Sequence, residues 1–79
     1  MKTLIQVPVG EIVRLLKPEE ALRSKLRMYG LHAGDDIRVL RVAPLGGPLL
    51  VEVNGREIAL GRSVAEKILV EVEVECESR

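Results

Sequence analysis

The sequence contains no phenylalanine and no tryptophan, and its one aromatic residue is Tyr29. A core must therefore be assembled from Val, Leu and Ile, of which the β-branched members favour strands. The same lack removes the aromatic platforms on which unpaired bases stack. A single cysteine, Cys76, excludes an internal disulfide. One histidine and one cysteine leave His32 and Cys76 as the only candidate base and nucleophile, and nothing in the sequence brings them together, so enzymatic activity is not expected. No run approaches the roughly 18 apolar residues that span a bilayer. The first ten residues hold one lysine and no long apolar stretch, unlike a secretory leader. A cytoplasmic location is the expectation. Net charge is missing too: twelve Lys and Arg balance twelve Asp and Glu. Nothing global then draws the chain to nucleic acid or an anionic membrane, and no specific binding to DNA or RNA is expected.

What is present is an apolar chain of one-domain size. At 79 residues it buries only about 60–65% of its unfolded surface, so the core is thin and encloses no sizeable cavity. Hydrophobic residues form 47% of the chain, too many for a disordered segment. Charge is segregated although it sums to zero. Arg23, Lys25 and Arg27 cluster in one segment, and Glu71, Glu73, Glu75 and Glu77 cluster near the end.

Seven Gly and four Pro punctuate the chain at regular intervals, the pattern of many short elements in a small barrel. Thr3 to Val7 reads as a strand ended by Pro8, and Glu11 to Leu16 as a second. Pro18 suits the first position of a helix, with Glu19 and Glu20 in its first turn. Leu22, Leu26 and Tyr29 form one helical stripe. Gly30 fits the left-handed position after the helix, which would pack Leu31 back on Leu26. A turn at Gly34, Asp35 and Asp36 precedes a strand from Ile37 to Ala43. Leu49, Val51 and Val53 alternate with Leu50, Glu52 and Asn54 as a half-buried strand. Asn54-Gly55 is a strong hairpin signal, because both residues tolerate positive φ. Arg56 to Leu60 returns, with Ile58 and Leu60 inward. Ser63, with Glu66 three residues on, suggests a capping box for a helical turn through Ala65 and Ile68. Val70, Val72 and Val74 would form the inner face of a last strand, with Glu71, Glu73 and Glu75 outside. The fold class is mainly β with one short helix and one helical turn, in which closing the sheet would remove its exposed edges. The whole chain reads as one domain with residues 76–79 as a tail.

The run from Gly30 to Glu71 resembles the core of the FeoA (ferrous iron transport protein A) family. The resemblance rests on Gly30-Leu31 followed by Gly34-Asp35, and on Ala43-Pro44-Leu45-Gly46-Gly47-Pro48. It continues through Ile58-Ala59-Leu60 and Ala65-Glu66-Lys67-Ile68-Leu69-Val70. In the family an arginine often follows the leucine at the end of the second hairpin strand; here Gly61 comes first and then Arg62. The resemblance implies a small SH3-like β-barrel, also found at the C-terminus of iron- and manganese-dependent repressors. It implies a cytoplasmic accessory of ferrous iron uptake whose partner is the cytosolic part of the membrane iron transporter, FeoB, which carries a G-protein domain. The other role implied is that of a metal-responsive regulatory domain in transcriptional control. Oligomeric state is left open, a weak homodimer included.

Candidate site residues follow from exposure and chemistry. The loop Pro44, Leu45, Gly46, Gly47, Pro48 combines prolines with an apolar knob at Leu45, and Leu50 on the outward side of its strand extends the patch. Gly46-Gly47 is followed by Pro48 and a strand rather than by a lysine and a helix, so it is not read as a phosphate loop. Arg23 and Arg27 are placed to steer an acidic partner, with Glu19 and Arg23 spaced for an i,i+4 pair. His32 and Asp35 are the candidate metal ligands, with Asp36 adjacent, and Cys76 and Glu77 are more remote ones. A tight site needs at least three convergent ligands, so Fe²⁺ is expected to bind weakly and no tightly held cofactor is expected.

Overall fold

The structure is a computed structural model that describes residues 2–72. The chain runs β1 (Lys2–Thr3), a 3₁₀ turn (Leu4–Gln6), β2 (Ile12–Leu15), α1 (Glu20–Met28), β3 (Asp36–Val42) and β4 (Leu49–Val53). It continues through β5 (Arg56–Leu60), α2 (Arg62–Ala65) and β6 (Leu69–Val72). All strand pairs are antiparallel, in the order β1-β6-β2-β3-β4-β5. The strands form one sheet that is not closed, so the expected barrel holds only loosely. β1 has two residues and breaks at once into the 3₁₀ turn, too short to bridge to β5. No helix among the described residues is long and apolar enough to cross a membrane.

That early break corrects the expected strand from Thr3 to Val7. A strand would aim Leu4 and Val7 at opposite faces, yet both are buried. A 3₁₀ turn stacks residues three apart on one side. Gln6 holds the turn closed, its Oε1 accepting from the Thr3 amide at 2.9 Å, and Leu4 N–H donates to the Ile68 carbonyl at 2.9 Å.

α1 behaves largely as its pattern demands. Leu26 is fully buried, with Leu22 and Tyr29 partly buried against the core. Gly30 has φ +81°, its N–H donates to the Arg27 carbonyl, and Leu31 N–H donates to the Leu26 carbonyl, each at 2.9 Å. These two bonds are a Schellman ending, with Leu26 and Leu31 buried in the same core. Pro18 is not the first helical residue, because Glu19 is the N-cap. Asp36 lies in β3 rather than in the preceding turn. It sits opposite Arg14 and pairs with it at 3.6 Å.

The hairpin of β4 and β5 turns at Asn54 (φ +54°) and Gly55 (φ +80°). Leu49, Val51 and Val53 are buried, as is Leu60. α2 starts earlier than expected. Gly61 is its N-cap, and the Gly61 carbonyl accepts from Val64 and Ala65, so Ser63 lies within the helix and makes no capping box. Glu66 instead closes the helix and pairs with Arg62 at 3.8 Å. This earlier start buries Val64 and Ala65 together with Ile68. In β6, Val70 is buried but Val72, at the end of the described chain, is 41% exposed. Val74, Glu73, Glu75, Cys76 and Glu77 lie outside the described residues.

The core is wholly aliphatic, with no buried polar residue among those described. Its stability then rests on cavity-free packing, and depth along the α1 stripe should set the cost of truncation. Leu26→Ala is expected to cost about 2–5 kcal/mol and Leu22→Ala distinctly less, as read from urea unfolding midpoints. Equal losses would mean that the stripe is not graded in this way.

Candidate functional site

β3 carries one residue more than its partner. Arg38 pairs with Glu52 and Val39 with Val51, but Arg41 pairs with Leu50, leaving Leu40 as a bulge. Without it, strict alternation would set Arg41 opposite the buried Leu49. With it, Arg41 shares the outer face with Leu50, and Leu50 lies opposite Ala59 on β5. These three residues, with Ala43, Pro44 and Pro48, line a groove of about 290 Å³. Leu50 is therefore half-buried in a groove rather than standing free.

The loop beside this groove is a tight, doubly bonded turn. Gly47 N–H donates to the Pro44 carbonyl at 3.1 Å, and Ala43 N–H to the Pro48 carbonyl at 3.0 Å. Leu45 has φ +58° and Gly46 φ +73°. Positive φ at both central residues marks a type I′ turn. Gly47 is required, because a Cβ there would lie 2.7 Å from the Ala43 Cβ. The other turn of this kind, Asn54-Gly55, carries the residue pair such turns favour. Leu45 is a poor choice by the same rule. It is also fully exposed, the most exposed large apolar side chain described.

Arg23 and Arg27 do not join this loop. They line a second groove of about 310 Å³ together with Lys17 and His32, over a floor that includes Pro18 and Leu31. The expected Glu19–Arg23 ion pair is not formed; Arg23 only donates its amide to the Glu19 carbonyl at 2.9 Å. Lys25 faces elsewhere, beside Glu19, Leu22 and Lys67. Lys17 is not legible as a site residue in the sequence, because a lysine before a helix carries no signal without its neighbours in space.

His32 and Asp35 do meet, with Nδ1 and Oδ2 3.8 Å apart. The same Oδ2 also accepts from the His32 amide at 2.8 Å, so the carboxylate ties the turn together. Asp36 is turned away to Arg14. Among the described residues there is no group of three His, Cys, Asp or Glu that could hold a metal ion. Cys76 and Glu77 lie outside the described residues.

The FeoA domain family model matches residues 2–72. The chain is 34% identical to the FeoA protein of Chlorobium tepidum, covering 95% of this chain and 73% of that one, with a TM-score of 0.77. It is 27% identical to Stenotrophomonas maltophilia FeoA, an SH3 domain protein solved in complex with zinc. That match covers 90% of this chain and 91% of that one, with a TM-score of 0.70. The manganese regulator SloR shares the fold over 34% of its own chain and 91% of this one, at 23% identity and a TM-score of 0.77. Compared with curated proteins, the chain matches none.

A left-handed backbone costs a residue with a Cβ about 1 kcal/mol or more. Leu45→Asn would give this turn the same Asn-Gly pair as the other. It should raise the unfolding free energy by about 1 kcal/mol, seen as a higher urea midpoint at unchanged slope. A loss of stability would mean that Leu45 packs within its own fold.

Proposed function

The chain belongs to the FeoA family, and on that premise we propose that it is a small cytoplasmic accessory of ferrous iron transport that docks on the cytosolic part of the membrane ferrous iron transporter. In this reading it acts by binding, without chemistry of its own and without a tightly held cofactor. Membrane association comes through the partner, at the inner face.

One observation carries the reading: the type I′ turn presents Leu45 to solvent at a cost to the fold on two counts, exposure and backbone strain. A residue that serves only the fold would be Asn or Gly there. A leucine held out on a bonded, glycine-tight turn is instead a preformed anchor, and an ordered loop loses less entropy when it binds. The groove of Arg41, Leu50 and Ala59 beside it supplies a rim for the same contact. Small scaffolds of this kind offer no deep pocket, so loop tips and shallow grooves are the usable surface.

The test is affinity for the transporter's cytosolic part. A buried leucine-sized anchor is worth on the order of 2 kcal/mol, so Leu45→Asp should weaken the complex at least tenfold while the unfolding midpoint does not fall. Unchanged affinity would place the contact surface elsewhere.

A further inference from the structure

The groove between the start of α1 and the loop after it has a composition unlike the chain as a whole. The chain is neutral, with acids and bases in equal number. Among the described residues this groove is lined by Lys17, Arg23 and Arg27, with His32, and by no acidic side chain. None of these three cations makes an ion pair among the described residues. Arg23 and Arg27 stand one turn apart on α1, an i,i+4 pair of like charge that works against the helix. Below them the floor is apolar, with Pro18 and the buried Leu31. We propose that this groove takes an acidic peptide segment in which two carboxylates flank one apolar side chain.

Each part of the geometry constrains the occupant. Guanidinium forks hold carboxylates with two parallel hydrogen bonds, and two such forks one helical turn apart suit two carboxylates rather than one. A free inorganic anion would satisfy the cations and leave the apolar floor uncovered. A nucleic-acid strand would need a stacking surface, and Tyr29, the one aromatic residue, does not line the groove. The volume, about 310 Å³, is at the small end of ligand clefts and admits a short extended segment rather than a folded surface. Opposite charges around the rim raise the rate of encounter and fix the register of the segment, and the apolar side chain supplies the anchor. This site is separate from the Leu45 turn, so it stands whatever partner that turn meets.

The experiment uses the full chain and an array of short end-blocked peptides, each with two glutamates flanking Val, Leu or Ile. A matched set carries glutamine in place of glutamate. The glutamate set should bind, and the strongest binders should lose at least tenfold in affinity on replacement by their glutamine counterparts and on Arg23→Ala with Arg27→Ala. Binding should weaken as salt rises, and the Nε–H signals of Arg23 and Arg27 should shift in the spectrum of the unaltered protein. Leu45→Asp should leave peptide affinity unchanged. The proposal is overturned if no glutamate peptide binds better than its glutamine partner. It is equally overturned if the double arginine variant binds as well as the parent, or if inorganic phosphate binds as tightly as the best peptide.

Discussion

Leu40 is the residue on which the placement of the exposed features turns. It is the extra residue in β3, between Val39, paired inside with Val51, and Arg41, paired outside with Leu50. Were the alternation unbroken, Arg41 would point into a core that, among the described residues, has no buried polar group to meet it. Burying an unpaired charge there would cost several kcal/mol, more than a small domain can absorb. The bulge avoids this by switching the face of β3 partway along. As a result Arg41, Leu50 and Ala59 form one outer row, with the Pro44–Pro48 turn at its end.

Two surface features sit uneasily with folding taken alone. Leu45 holds a left-handed backbone and a bare apolar side chain. Arg23 and Arg27 place like charges one helical turn apart with no acid between them. Neither is compensated among the described residues. The first costs about 1 kcal/mol or more and the second about 0.2–0.5 kcal/mol, small beside the aliphatic core that tolerates them. Local departures from what the fold prefers, on an otherwise consistent scaffold, are where function is to be sought. The His32–Asp35 pair is different: its carboxylate serves the turn, and its neighbour Asp36 serves Arg14.

Much of this was legible in the sequence, for identifiable reasons. The end of α1 could be read because Gly30, Leu31 and Leu26 each have one role in a Schellman ending. The second hairpin could be read because Asn54-Gly55 admits few alternatives. The start of the chain could not, because Leu4, Ile5 and Val7 favour a strand by type, while burial of both Leu4 and Val7 required a 3₁₀ turn. Ser63 misled for a similar reason: its capping preference is local, and burial of Val64 and Ala65 began α2 at Gly61 instead. Of the site, the Pro44–Pro48 loop and its leucine were visible. The positive φ of Leu45 was not, since nothing in a leucine announces it. Nor was the union of Lys17, Arg23, Arg27 and His32, which depends on how α1 sits against the loops at its two ends.

In the proposed reading the strained turn is held ready for a partner. The most direct measurement follows amide and methyl signals of the isotope-labelled protein as the transporter's cytosolic part is added. The Leu45 methyls and the amides of Leu45, Gly46 and Gly47 should shift or broaden first, with Leu50 and Ala59 next. Changes confined to other faces of the sheet, with the Leu45 signals untouched at saturation, would contradict it.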